Sequence, residues 1–209
     1  AQRPFEPLPQ APPALQQLDY SIYRSINFRR EAAIWGTAPT RFSIQLFAPG
    51  FFYRDLIEIE VVESGRARPL RIGDNAFDVP DRKLARLLTE VGGYAGFRVH
   101  YPINREDYAD EFLVFQGASF FRAVSRGQLY GLSARGLAID VAEATGEEFP
   151  VFRRFWIEQP STRQQTVVVH ALLDSPRVAG AYRFRVDPGA PTRVDVQATL
   201  FARETIAHI

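Results

Sequence analysis

Paired carboxylic groups flanking a scissile bond are the machinery of glycoside hydrolysis, and this chain carries several acidic clusters. Asp107, Asp110 and Glu111 precede an apolar run, Asp140 closes the stretch that begins at Gly136, and Glu147 and Glu148 stand between Gly146 and Phe149-Pro150. Nothing in their spacing brings two of them face to face. For each, a solvated loop position or an ion pair with Arg is the plainer reading. His100, His170 and His208 are far apart and form neither H-x-H nor H-E-x-x-H, so no metal centre is indicated. The chain has no cysteine, which excludes a thiolate metal site, a thiol nucleophile and a disulfide framework. Gly117-Ala118-Ser119 only partly matches a nucleophile elbow, because Phe120 and Phe121 follow it. No glycine-rich phosphate cradle is present. We therefore assign no catalytic residue, no metal and no cofactor.

The richest stretch runs from Phe115-Gln116-Gly117-Ala118-Ser119-Phe120-Phe121-Arg122 to Tyr130-Gly131-Leu132-Ser133-Ala134-Arg135 and on to Asp140. It sets amide, hydroxyl and guanidinium groups among small residues and aromatic rings. Sugar sites have this chemistry: flat rings stack on sugar faces, and planar polar groups reach the hydroxyls. Tyr130 and Trp156 are the candidates for stacking; Gln116, Ser133 and Arg135 are the candidates for hydroxyl contacts. The competing readings are a strand-loop-strand with glycines at its turns, core packing for Trp156 and a loop ion pair for Arg135.

Elements that would position these groups are mostly strands. Phe42, Ile44 and Leu46 alternate with polar residues, as do Ile57, Ile59 and Val61, Tyr182, Phe184 and Val186, and Val194, Val196, Ala198 and Leu200. A period of two marks strands with one buried and one wet face. With Phe97–Tyr101, Phe112–Phe115, Phe152–Ile157 and the nearly continuous apolar run Thr166–Leu173, which reads as a central strand, about nine strands separated by turn residues predict an antiparallel sandwich. Helix is expected only in short pieces, one within Asp19–Ala33 and one at Asp81–Glu90, where Asp81 caps and Gly92-Gly93 terminates. Residues 1–13, rich in Pro and Gln, predict an extended arm. The last strand pattern runs to Phe201, and Ile206 and Ile209 follow without a polar tail, which reads as a chain cut inside its fold.

Composition limits the partners. The 209 residues carry 25 Lys and Arg against 24 Asp and Glu, a net charge of +1, so no basic excess points to nucleic acid. Lys83 is the only lysine. No apolar run approaches the roughly 18 residues of a membrane span.

Phe97-Arg98-Val99-His100-Tyr101-Pro102, the Phe115–Phe121 and Tyr130–Asp140 stretches, Gly146-Glu147-Glu148-Phe149-Pro150 through Phe155-Trp156-Ile157-Glu158, Ala171-Leu172-Leu173-Asp174-Ser175-Pro176 through Tyr182, and the earlier Pro49-Gly50-Phe51 with Tyr53 resemble the glucans biosynthesis protein G and D family (OpgG/OpgD, also MdoG/MdoD). The resemblance covers nearly the whole chain in the same order. It implies a periplasmic protein acting on osmoregulated periplasmic glucans, whose backbone is β-1,2-linked glucose. It also implies a large β-sandwich of the galactose-mutarotase-like kind, incomplete here, with residues 14–209 as part of it and an immunoglobulin-like second domain beyond. Some D-type members are inverting endo-β-1,2-glucanases that use two aspartates, which fall after Ile209 in this alignment of motifs. The resemblance leaves open a glucanase and a non-catalytic glucan-binding or assembly factor; a purely structural interaction sandwich is the third reading. Expected partners are a β-1,2-glucan or its oligosaccharides, and the missing remainder of the protein or a second copy. A signal peptide is expected to have been removed.

These expectations are testable on a polypeptide ending at Ile209. It should release no new reducing ends from linear β-1,2-glucan and should associate or dissolve poorly, read by light scattering. Turnover would place the catalytic pair inside the segment, and a soluble inactive monomer would contradict the cut fold.

Overall fold

The alternating stretches become strands in a computed structural model of the chain, which describes residues 2–73, 75–79 and 81–209. In chain order they are β1 (Asn27–Phe28), β2 (Ser43–Phe47), β3 (Glu58–Glu63), β4 (Arg66–Pro69), β5 (Phe77–Asp78), β6 (Gly96–Arg105), β7 (Tyr108–Gln116), β8 (Phe120–Ala123), β9 (Leu132–Arg135), β10 (Val151–Glu158), β11 (Val167–Asp174), β12 (Val178–Asp187) and β13 (Arg193–Ala202). Two sheets form the body: six strands in the order β13-β12-β11-β10-β3-β4, and five in the order β2-β6-β7-β8-β9. The predicted all-β sandwich is present. The continuous apolar run is β11, central between β10 and β12.

One pairing departs from the antiparallel expectation. β3 and β10 run parallel, with Phe155 opposite Ile59 and Ile157 opposite Val61. Period-two patterning defines a strand's faces but not its direction, and four of the five strands of the second sheet intervene between these two strands in the chain. The hairpins β6-β7, β10-β11, β11-β12 and β12-β13 are antiparallel as expected.

Helix is confined to short pieces. α1 (Pro13–Gln16) buries Leu15, and α2 (Tyr20–Ser25) is capped by Asp19, whose Oδ1 accepts the Ile22 N–H at 2.8 Å. α2 is shorter than the Asp19–Ala33 window, because the chain turns into β1 and then a 3-10 turn at Arg30–Ala32. α3 (Arg82–Glu90) buries Leu84 and Leu88 beneath an Asp81 cap.

Between the sheets sits a cluster of phenylalanines. Phe115 of β7 meets Phe155 of β10 at 5.3 Å and Phe184 of β12 at 5.0 Å, while Phe97 of β6 meets Phe155 edge-on at 5.0 Å. Tilted and edge-to-face rings at these spacings add attraction beyond their burial. Gly136 lets the segment after β9 lie on this core: its N–H donates to Ser119 O at 2.8 Å, and its own carbonyl accepts from the Tyr182 hydroxyl at 2.8 Å. A Cβ there would stand 2.5 Å from Phe152 Cζ. On β13, the residues facing the same side as Phe184 are less covered: Val196 and Leu200 are 45% and 39% exposed.

His100 lies at a bulge of β6, with Nδ1 3.2 Å from Ala109 O. Burial holds its imidazole below the usual histidine range; the positive charges of Arg98 and Arg30 act the same way, while the Ala109 carbonyl and Glu111 oppose them. The folded chain therefore binds this proton less readily than the unfolded chain. The His100 contribution to stability is complete above about pH 6.5, the unfolded value, and is lost as the pH falls below it.

Two outcomes are expected. Gly136→Ala overpacks a filled site and should cost about 1–3 kcal/mol in urea unfolding; wild-type stability would show that Phe152 yields freely. Replacing His100 by Asn should flatten the fall in melting temperature between about pH 7 and pH 5.5, where carboxylates contribute little. An unchanged slope would remove His100 as its source.

Candidate functional site

Because Phe97, Phe115 and Phe121 point into the core, their neighbours in β6, β7 and β8 point outward. The register then aligns Gln45, Arg98, Val114, Arg122 and Ser133 in one row across the five-stranded sheet. Gln116, at the end of β7, and Arg135, opposite Phe120 in β9, share this outer face. Four of the five residues singled out for sugar contact, Gln116, Tyr130, Ser133 and Arg135, thus belong to one side of the molecule.

The row is held by charge. Glu111 accepts from Arg98 Nη1 at 3.1 Å and from Arg122 Nη2 at 3.0 Å, with all three side chains about one-quarter exposed. Two guanidinium groups on one carboxylate leave a local positive excess. Tyr130 is 74% exposed, and the Arg122 guanidinium lies 5.1 Å from its ring centre. Arg135 pairs with Glu147 and lies 5.7 Å from the exposed ring of Phe149. Rings and guanidinium groups thus alternate along the face, and cation–π contact fixes ring orientation.

Three hollows border it, and two of them reach in between the sheets, one against Phe115, Phe152 and Phe155 and the other against Phe121, Ala123 and Val194. One of about 290 Å³ is lined by Phe52, Tyr53, Asp55, Gln116, Gly117 and Phe120. A second, of about 240 Å³, shares Tyr53 and Gln116 and adds Tyr23, Phe47 and Arg98. A third, of about 660 Å³, is lined by Tyr130, Ser133 and Arg126 and by Val194 of β13. Tyr23 and Tyr53 stack at 6.0 Å between the first two hollows. Burial raises the Tyr23 phenol far above the usual range, and the nearby Tyr53 phenol adds to this, so Tyr23 acts as a neutral donor; its hydroxyl donates to Ala48 O at 3.0 Å. Sequence reasoning did not place Tyr23 or Tyr53 at a site. Tyr53 had a signal in the aromatic run after the Pro49-Gly50 turn, whereas Tyr23, on α2, had none.

Trp156 is elsewhere. It lies on β10 opposite His170 and Glu60, facing away from the core on the other sheet, with the Arg154 guanidinium 5.2 Å from its ring. Its neighbours in sequence could not reveal which sheet would carry it.

All the acidic candidates but Asp110, whose buried Oδ2 has no hydrogen-bond partner, are engaged by arginine. Asp140 and Glu148 both receive Arg177, at 2.5 and 2.6 Å; Asp107 receives Arg105, and Glu147 receives Arg135. Burial pushes the Glu148 carboxyl upward, but hydrogen bonds from Ser175 and Arg177 outweigh it and hold the group below the usual range. A carboxylate held ionised is a poor general acid. Ser119 is buried and bound to the Leu137 backbone, with its Oγ 3.3 Å from Leu137 O, which makes it a strut. His170 Nε2 sits 2.7 Å from Glu158, and His208 lies beside Asp140 and Glu143.

A family model described as "Periplasmic glucan biosynthesis protein, MdoG" matches residues 1–209. Among curated proteins, "Glucans biosynthesis protein G 2" of Shewanella oneidensis is 59% identical over 209 residues, which is all of this chain and 40% of the relative. "Glucans biosynthesis protein G" of Shewanella frigidimarina is 50% identical and that of Vibrio cholerae 48%, each over all of this chain and 38% of its own length. The chain therefore spans about two-fifths of the length of the curated relatives it matches. With a family model covering every residue and relatives this similar along its whole length, the chain belongs to the MdoG family of periplasmic glucan biosynthesis proteins.

Proposed function

We propose that this chain builds part of a glucan-binding face in a periplasmic protein of glucan biosynthesis, its ligand a β-1,2-linked glucan. The observation that carries the reading is the gathering of Gln116, Tyr130, Ser133 and Arg135 on the outer side of the five-stranded sheet, where ring faces alternate with guanidinium groups. The names borne by the relatives supply the ligand class. An exposed ring such as Tyr130 covers the apolar face of a pyranose, and Arg135 offers paired N–H donors to its hydroxyls. Ser133 and the Gln116 amide add donors and acceptors.

Within residues 1–209 the role is binding rather than bond cleavage. Glu111, Glu147, Asp140 and Glu148 are all committed to arginines, which favours holding a polar ligand over passing a proton to it. Among the described residues no helix is long and apolar enough to cross a membrane.

Titration with linear β-1,2-glucan tests the reading. Arg135→Ala and Tyr130→Ala should each weaken binding by about 1–3 kcal/mol, the range for a lost charged hydrogen bond or stacked ring. Trp156→Ala, on the opposite side, should leave the affinity of the folded protein at its original value. Loss through Trp156 alone would move the site to the six-stranded sheet and overturn the assignment.

A further inference from the structure

The Pro49-Gly50 turn displays aromatic rings that the fold does not use. Gly50 and Tyr53 exchange both backbone hydrogen bonds at 2.8 Å, so Phe51 and Phe52 form the tip of a tight hairpin. Phe51 takes φ +52°, a conformation bulky side chains rarely adopt. The tip is held there by its surroundings: the Phe51 N–H donates to Leu15 O at 3.0 Å, and a Cβ on Gly50 would stand 2.9 Å from the same oxygen. Arg54 Nε donates to Phe51 O at 3.1 Å from the other side.

The result is a fixed aromatic surface. Phe52 is 77% exposed and touches Phe51 at 4.0 Å; Tyr20, 59% exposed, lies 6.0 Å from Phe51, and Tyr23 lies 5.9 Å from it. Core packing does not account for Phe52. The surface is continuous with the candidate face, because Phe52 and Tyr53 line the same hollow as Gln116, and the Tyr53 ring lies against Gly117.

We propose that Phe51, Phe52 and Tyr20 form a stacking platform for further glucose units of the bound glucan, extending the binding face past Gln116. The proposal rests on the reading of that face as glucan-binding. Rigid rings set at angles to one another suit a chain of pyranoses whose successive apolar faces turn. The phenol hydroxyl of Tyr20 and the Arg54 guanidinium at the border suit its hydroxyls.

The experiment titrates the protein and its Phe52→Ala, Phe52→Trp and Arg135→Ala variants with linear β-1,2-glucan by calorimetry, with melting temperature and sedimentation velocity run on each. Phe52 is largely exposed, so its substitution should leave the fold intact. Phe52→Ala should weaken binding about tenfold, or 1.4 kcal/mol, at unchanged melting temperature and mass. Phe52→Trp should keep the affinity, and its indole emission should shift on adding glucan when the parent's emission, from buried Trp35 and from Trp156 on the far side, does not. Full affinity in Phe52→Ala with loss in Arg135→Ala overturns the platform and leaves the first reading standing. Loss in Phe52→Ala with full affinity in Arg135→Ala keeps the platform and removes Arg135. A drop in sedimenting mass in Phe52→Ala would make the ridge a contact between chains and overturn the proposal.

Discussion

Phe115 touches five other phenylalanine rings, those of Phe97, Phe121, Phe152, Phe155 and Phe184, at centroid distances of 5.0 to 6.3 Å. Three of these partners come from the opposite sheet. Once this ring is placed inward, the pleat decides everything beside it: Val114 and Gln116 must face outward, and through the register so must Arg98, Arg122, Ser133 and Arg135. The candidate face is thus the reverse side of the core. A slip of one residue in β7 would bury Gln116 and expose Phe115 together.

Strands with a clean alternation were legible in the sequence because one of their faces is buried and the other is wet. β10, β12 and the inner part of β6 are of this kind. β4 and β9 were not legible, since every residue in them is exposed and burial wrote no period into them. The sheet edge rather than the core fixes their place. For the site, the chemistry of the Phe115–Asp140 stretch was readable, and four of its candidates do share one face. The position of Trp156 was not readable, because which sheet a strand joins depends on pairings made across the chain. The Tyr23–Tyr53 stack was equally hidden, joining a helix residue to a turn residue that no sequence period relates.

Some arginines are ties between distant segments. Asp174 is 6% exposed and receives both Arg153, at 2.5 Å, and Arg203, at 2.8 Å. The same two guanidinium groups donate to the backbone oxygens of Glu6 and Arg3, at 3.2 Å each. A buried carboxylate is tolerable only when paired in this way, and here the pairing also fastens the N-terminal stretch to the end of the β11–β12 hairpin. At Arg203 the planar fork divides the task, Nε reaching the Arg3 carbonyl and Nη2 reaching Asp174.

The parallel junction of β3 with β10 has a kinetic consequence. Its side-chain tie, Arg154 to Glu60, spans 94 residues, and the arm contacts of Arg153 and Arg203 span 147 and 200. Closing loops of that size costs entropy before any contact repays it, so the chain is a slow folder by topology. Emerging from its N-terminus, it presents one flank of β3 as an open strand edge until β10 has been made. During that interval the unpaired backbone of Glu58–Glu63 is the segment most open to wrong partners, and the acidic residues Glu58, Glu60 and Glu63 give it the like-charge repulsion that keeps two such edges apart.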